Sequence, residues 1–592
     1  MNHRFIYVLL LLYPTLNVAE TILPEVTVTA TRSNQTSPLA SVTVITQEDI
    51  IKSQAVSISD ILRTVPGLDV SSNGGFGQPT SIFMRGTESD HILVLVDGIK
   101  MGSATTGSMA FEHLPVSQIE KIEIVRGPRS SLYGSEAIGG VIQIFTRHGR
   151  KTHTESSIGI GADNTYRATT GFSGANKNSW LSLYADHLKS DGFSACSDAN
   201  CFGFEPDDDG YENTSFSTKF GHNFSNTANI EAHALRTKGN TQFDAMGDNE
   251  ADFTQQVIGI KADYIVSNWW LLNLNLGESQ DKYEQSTQSY FNTTRTIYSL
   301  QNNFFFAEQE LIVGYEEQTD EVDSHVDYAI NSLNNKGLFA EYQTDLGSAN
   351  LLIGFRKDDN EQFGNHTTKN ISLGYTFNPT MRFIASYGTA FKAPSFNELY
   401  FPNYGDSKLV PEESESYEIG LFGKQQYYNW SINVYKTKID KLIATNFDAE
   451  TNSYFADNIK EAKIVGMDGA INWQRNNWEF NTKIAWLKPE DETTGNLLPR
   501  RAEKSINIEL AERRGPVRLA VSVLARSHRY DNASNTLRLA GYGIVNLAGE
   551  YNFNKNLTLR MRLENMLGKD YETVYSYNTP NKFWFLSLHY QH

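Results

Sequence analysis

From about residue 148 onward the chain is written in a period of two, and that pattern decides what it can become. Leu272, Leu274 and Leu276 alternate with Asn273 and Asn275. Trp430, Ile432 and Val434 alternate with Ser431 and Asn433, and Leu557, Leu559, Met561 and Leu563 with Thr558, Arg560, Arg562 and Glu564. Successive side chains of a strand point to opposite faces, so each segment of about ten residues offers one apolar and one polar face. A soluble sandwich satisfies the same alternation. Three features favour a membrane instead: an export signal at the start of the chain, aromatic residues near segment ends such as Trp269, Trp270 and Trp430, and polar stretches of up to about 25 residues between segments. No stretch beyond the first twenty residues approaches the roughly 18 consecutive apolar residues of a transmembrane helix, so only a closed barrel is left to cross a bilayer. At about 20 residues per strand and connection, residues 148–592 supply about 22 antiparallel strands, and a lumen of that width holds a plug.

Residues 1–19 read as a signal peptide: a short basic start at His3 and Arg4, the apolar run FIYVLLLLYPTL, and the small-residue cleavage site Asn17-Val18-Ala19. The net charge of −18 argues against nucleic acid and suits a surface that binds divalent cations. The two cysteines, Cys196 and Cys201, lie in CSDANC in a chain bound for an oxidising compartment. A local disulfide is expected, with free thiols as the alternative. A zinc site lacks further His or Cys ligands nearby.

Residues 41–147 have a different grammar. SVTVI is a strand, Thr46 to Asp49 forms a capping box that opens a helix, and Ile58, Ile61, Leu62 and Val65 mark a second helix ending at Pro66-Gly67. Ile122 to Val125 and Val141 to Phe145 are strands joined by Gly127-Pro128 and a glycine-punctuated link from Gly134 to Gly140. SSNGGFGQPTS (71–81) and KMGSATTGSMAF (100–111) are loops rich in glycine and hydroxyl groups. Upstream, Glu25 to Ala30 (EVTVTA) is a short extended segment whose free edge suits strand addition by another chain.

IVRGPRSSLYGSEAIGGVIQI (124–144) and MRGTESDHILVLVDG (84–98) together resemble the plug signature of TonB-dependent outer-membrane receptors. Within them, VPGLDVSSNGGFGQPTSIFMRGTESDHILVLVDG (65–98), RFIASYGTAFKAPSFNELY (382–400) and GKDYETVYSY (568–577) are most similar to the cobalamin (vitamin B12) receptors. The resemblance implies an all-β transmembrane barrel of about 22 strands with an N-terminal α+β plug in its lumen, divided as signal peptide 1–19, Ton box and linker 20–40, plug 41–147 and barrel 148–592. It implies a Ton box at Glu25, Val26, Thr27, Val28, Thr29 and Ala30 that engages the inner-membrane energy-coupling protein TonB. It also implies cobalamin contacts at Pro79, Ser81, Glu88, Thr106, Gly107, Ala245, Arg500 and Ser534. Arg501 is able to exchange roles with Arg500, and Tyr530 to stand in for Ser534.

The acidic loop EPDDDGYEN (205–213) matches a calcium-binding loop of that family. Asp207 and Asp209 precede Gly210, where backbone turning converges carboxylates on a hard cation, and Asp244, Asp248 and Asp198 supply further oxygens. The alternative is a solvated acidic loop. No redox or nucleotide cofactor is expected. Other implied partners are outer-membrane lipid and lipopolysaccharide, the receptor itself being a monomer in the outer membrane of a Gram-negative bacterium. Arg85 and Arg126, on plug strands, are candidates to lock the plug against opposite charges in the barrel wall.

A siderophore or haem receptor of the same fold, and a plugged barrel serving as adhesin or phage-attachment surface, are the competing functions. An enzyme has no motif to support it: G-x-S-x-G and H-E-x-x-H are absent and Gly159-x-Gly161 lacks a third glycine. The last strand, FWFLSLHYQH, runs to His592 where family members often carry an aromatic residue.

Overall fold

The computed structural model describes residues 39–149, 151–201, 203–247, 249–287, 289–448, 453–459 and 461–592. The expected signal peptide, residues 1–19, and the expected Ton box, Glu25–Ala30, fall outside these residues.

Twenty-two strands of the described residues form one closed antiparallel barrel. It starts at His153–Gly161 and closes where Phe583–Gln591 pairs back onto that strand, with Leu588 opposite Ile158. Lipid-facing positions are apolar and open, as at Ile158, Leu338, Phe355, Ile419 and Leu519, whereas chain neighbours turned to the lumen are buried and include the charged Arg356, Glu418 and Arg518. Connections alternate in length. One rim has short turns, such as residues 176–178 and 347–348; the other carries long loops, such as residues 191–210 and 393–411. The chain enters the barrel from the short-turn rim.

The plug fills the lumen. β1 (Val42–Thr46) leads into α1 (Gln47–Ser53), where Thr46 and Asp49 form the expected capping box. α2 (Ile58–Leu62) is shorter than the periodicity suggests. Val65 lies beyond it in a tighter turn, its N–H bonding the Leu62 carbonyl, because a residue preceding proline is pushed out of the α region. β2 (Leu68–Ser72) and β3 (Thr80–Met84) form a hairpin. β4 (Ile92–Val96), β5 (Ile99–Met101), β6 (Ile119–Arg126) and β7 (Gly140–Thr146) join β1 in a sheet ordered β1-β6-β7-β4-β5, with β4 and β7 parallel.

Gly140, with φ +147°, starts β7 where a Cβ would stand 2.2 Å from the Val125 carbonyl oxygen, so no other residue fits. A one-turn helix, α3 (Ser130–Tyr133), lies inside the link between β6 and β7. It did not show in the sequence pattern. Two cations hold it: Arg356 Nη1 of the barrel donates to the Leu132 carbonyl at 3.1 Å, and Lys100 Nζ of plug strand β5, itself bound to barrel Glu316, to the Tyr133 carbonyl at 2.7 Å. Cations at a helix C-terminus satisfy carbonyls that so short a helix leaves free.

The main core lies within the plug, among Ile58, Ile61, Leu62, Val94, Ile122 and Ile142, and reaches the barrel wall through Leu235, Val257 and Ile297. Smaller apolar clusters join the two elsewhere, as where Leu93, Leu132 and Val141 meet Ile312 and Phe339 and where Ile138 meets Ala390 and Ile439, and between them the plug meets the wall through polar groups.

Candidate functional site: the plug, its ionic seam and the long-loop face

Arg85 follows β3 with a positive φ of 52°, which turns its side chain to the wall. There it donates from Nη2 to Glu418 at 2.8 Å and from Nε to Asp468 at 2.9 Å, with its guanidinium 4.3 Å from the Tyr435 ring centre. All three charged side chains are nearly inaccessible. Burial opposes the charge on Arg85, but Asp468 and Glu418 overcome it and raise its pKa above the ordinary value. Arg126 behaves differently from the expectation that it locks onto the barrel. Its donors go to plug acceptors, the Pro66 carbonyl at 3.0 Å, Ser41 Oγ at 3.2 Å and Thr43 Oγ1 at 2.6 Å. It braces β1 behind Arg85, because strand β6 directs it along the sheet rather than outward.

The Arg85 pair belongs to a longer seam. Lys52 meets Glu479 at 2.9 Å, Arg63 meets Glu564 at 2.8 Å, Glu136 meets Arg295 at 2.9 Å, and Asp97 meets Lys219 at 2.5 Å. Asp69 faces Arg526 and Arg529 at 3.4 Å each. On the long-loop side, Asp90 accepts a 2.8 Å ion pair from Lys392, which also reaches Glu398. His91 is enclosed beside Glu412; its Nδ1 accepts from the Glu88 N–H, so Nε2 carries the proton donated to that carboxylate.

The residues singled out for ligand contact are distributed over this side. Pro79 and Thr106 are exposed, and Ser81 half-buried on β3. Gly107, at φ +76°, closes a turn whose N–H bonds the Ser103 carbonyl, and a Cβ there would press on Asp90 at 3.2 Å. The loop carrying both is tied to the short barrel helix Phe396–Tyr400 through the Ala104 and Thr105 carbonyls, at 3.1 and 3.0 Å. Glu88 pairs with Arg501, not with Arg500. Arg501 is buried over Phe83, so it is bound to the plug, whereas Arg500 pairs with Asp531 at 2.9 Å and remains partly open. Ser534 is exposed and bonds within its own loop to Asn532 and Thr536. Tyr530 holds the Arg500 N–H through its carbonyl at 2.6 Å.

The acidic loops meet. Cys196 and Cys201 are joined by a disulfide, with Cα atoms 5.7 Å apart. Asp209 accepts from the Ala195 N–H at 2.6 Å, and Asp244 from the N–H groups of Cys196 and Glu205 at 2.7 and 2.5 Å. Ala245 abuts Gly203 so closely that a Cβ on the glycine would lie 2.5 Å from its Cα. Burial, then the carboxylates of Asp244 and Asp207, push Asp209 up to about 7. Asp198 caps its own turn through the Asn200 N–H, and Asp248 lies outside the described residues. Among the described residues no three His, Cys, Asp or Glu side chains converge as a metal-ligand set.

A family model described as "TonB dependent receptor-like, beta-barrel" matches residues 152–566, and one for the "TonB-dependent Receptor Plug Domain" matches residues 34–141. The chain belongs to the TonB-dependent receptors. They are outer-membrane proteins of Gram-negative bacteria, which bind a ligand and interact with TonB. Among curated relatives, this receptor is 32% identical over 579 residues to the vitamin B12 transporter BtuB of Photobacterium profundum, with 95% of each chain covered. Among solved structures it resembles a mutant of the ferric enterobactin receptor PfeA from Pseudomonas aeruginosa (TM-score 0.81, 18% identity, 96% of this chain and 100% of that one). It also resembles the copper transporter OprC (TM-score 0.80, 16% identity, 94% and 100%). Likeness at such identity speaks for the fold alone.

Sequence reading missed the barrel half of the seam: Glu418, Asp468, Glu412, Lys392, Glu316 and Arg295. Their signal was present. Each charge is buried on a barrel strand, and Glu418, between the exposed Tyr417 and Ile419, shows the pattern best: a charge in the lumen-facing register beside apolar lipid-facing neighbours, which in a wide plugged barrel marks a plug contact.

Two outcomes follow for the receptor in detergent. Arg85→Ala leaves Glu418 and Asp468 buried without their cation, which costs roughly 3–5 kcal/mol; the plug then becomes protease-sensitive at lower urea while the barrel is unaffected. Glu112 gives a pH signature. Its Oε2 is buried without a partner, and burial, with the Asp281 carboxylate beyond it, pushes the group up to about 8 from 4.5. The folded plug therefore holds a proton that the unfolded chain loses, so plug stability falls as pH rises between these two values and levels off above the higher one. Glu112→Gln is expected to leave urea resistance near pH 4 unchanged and to raise it at pH 8, by up to roughly 4 kcal/mol.

Proposed function

We propose that this receptor captures cobalamin at its long-loop face and delivers it to the periplasm using force transmitted by TonB. The observation that carries the reading is the 32% identity to a vitamin B12 transporter across 95% of both chains. The structure supports it with an open face built jointly by plug loops and barrel loops, on which Pro79, Ser81, Thr106, Gly107, Ala245, Arg500 and Ser534 are the proposed contacts. Glu88, held by Arg501, serves as a support for that face more readily than as a free contact.

A ligand of this size at low concentration needs capture before transport. Contact at Thr106 and Gly107 acts on Asp90 and Lys392, because the glycine packs on both. Binding that favours a displaced loop thereby shifts the plug toward a state in which the segment Glu25–Ala30 is free to pair with TonB.

Calcium is proposed as an organiser of the acidic loops. The donor chemistry fits: Asp207, Asp209 and Asp244 offer hard oxygens, and Asp209 lies in a buried site where neighbouring carboxylates disfavour its charge. Asp198 and Asp248 would join as the loops close. The metal would supply the positive charge that offsets this repulsion.

Titration of the purified receptor with cyanocobalamin tests the cargo. Saturable binding with a dissociation constant below about a micromolar is expected, and binding of a ferric chelate in its place would contradict the assignment. Chelating calcium is expected to weaken cobalamin binding at least about tenfold, and Asp207→Ala with Asp209→Ala to abolish that dependence.

A further inference from the structure

Between the barrel strands Tyr428–Asp440 and Glu461–Arg475 the long-loop connection folds into a hairpin of its own, Ile443–Asp448 against Ser453–Asn458. Cross-strand partners share a face, so Ile443, Thr445 and Phe447 lie on the same side as Asn458, Ala456 and Tyr454. The end of that face nearest the barrel is packed. Ile443 and Ala456 are buried with Leu399 and Leu409, the Ala456 N–H bonds the Tyr404 carbonyl at 2.9 Å, and Thr445 Oγ1 lies 2.9 Å from the Tyr404 hydroxyl. The outer end is open. Phe447 and Tyr454, next along the same face, are 52% and 62% exposed with ring centres 5.1 Å apart.

Two ties join this hairpin to the plug. The Ile443 N–H bonds Glu412 Oε1 at 2.8 Å, and the other oxygen of that carboxylate holds plug His91. Leu399, against which the hairpin packs, belongs to the helix Phe396–Tyr400, whose first N–H groups are held by the plug carbonyls of Ala104 and Thr105. Both ties end beside Thr106 and Gly107, since a Cβ on Gly107 would press on Asp90, the neighbour of His91. The open rings therefore stand on the same assembly as the plug contacts assigned to the cargo. Two large rings side by side, continuing a packed face and left uncovered, mark a binding surface rather than scattered surface apolarity.

We propose that Phe447 and Tyr454 form a further contact for the cargo, taking the edge of a broad macrocycle ringed by methyl groups and amide arms, with Phe447 against the methyl-bearing rim and the Tyr454 hydroxyl at an amide. The inference rests on the corrinoid reading and adds a barrel hairpin to the plug and loop residues already named. The shared anchorage at Glu412 and at the Phe396–Tyr400 helix selects the cargo over other occupants, because it joins the pair to the loop that the cargo touches. Aromatic side chains suit the role: each has few rotatable bonds, so large contact area is fixed at small entropic cost. Phe455 supplies the comparison. It is 37% exposed on the opposite face of the same hairpin, turned away from Tyr404 and Leu409.

The test is titration of the purified full-length receptor in detergent with cyanocobalamin. Phe447→Ala with Tyr454→Ala is expected to bind at least about tenfold more weakly, each single variant to show a smaller loss in the same direction, and Phe455→Ala to bind as the unmodified receptor does. Phe447→Ala alone serves if the double variant fails to form an SDS-resistant barrel. Undiminished binding by the double variant overturns the proposal, as does an equal loss in Phe455→Ala, which would report the fold of the hairpin and not a contact. Self-association that disappears in the double variant while corrinoid affinity holds would assign the face to a second copy and overturn it as well. An unmodified receptor that binds no corrinoid removes the cargo reading and this contact with it, whereas full corrinoid binding by every variant removes the contact alone.

Discussion

Buried charge between plug and barrel is the constraint on which this molecule is built. A lumen wide enough for a plug must be lined by side chains that water would otherwise solvate, and a plug placed there must satisfy them. The chain meets this with ion pairs: Arg85 with Glu418 and Asp468, Lys52 with Glu479, Glu136 with Arg295, Asp90 with Lys392. Such pairs give little net stability, because desolvation offsets most of the Coulombic attraction, yet losing one partner is costly. The seam thus specifies a single seated position without making the plug inseparable. The main apolar core is built chiefly from plug residues, and smaller apolar clusters at the wall, such as Leu93 and Leu132 against Ile312 and Phe339, add to the seam.

The barrel was legible because a lipid face and a lumen face impose a strict period of two, which runs of Leu, Ile and Val against Asn, Ser and Thr preserve. The plug was legible where local chemistry specifies local structure. Thr46 and Asp49 cap a helix from within four residues, and the glycines at 127, 134 and 140 mark turns that other residues do not adopt. Such signals need no knowledge of distant residues.

What escaped the sequence depends on distant partners. Four residues of α3 do not nucleate a helix alone; Arg356 and Lys100 hold its carbonyls from elements far along the chain. Arg126 and Arg85 look alike in sequence, and only the packing of β1 and β6 distinguishes the internal brace from the residue that reaches the wall. Arg500 and Arg501 separate for the same reason, one pairing with Asp531 on the neighbouring long loop and the other buried over Phe83. The proposed ligand residues lie on loops, where position is set by neighbours such as the Phe396–Tyr400 helix and not by local propensity.

The account's central claim is that the plug is a separate body, released from the barrel by breaking the ionic seam rather than by unfolding the wall. Force spectroscopy on receptors in a bilayer, pulling from the N-terminal end, tests this most directly. The claim predicts that the first ruptures release only residues of the plug, about 107 residues or roughly 360 Å of extended chain, while all barrel strands stay in place. Barrel strands leaving the bilayer before or together with the plug would contradict it.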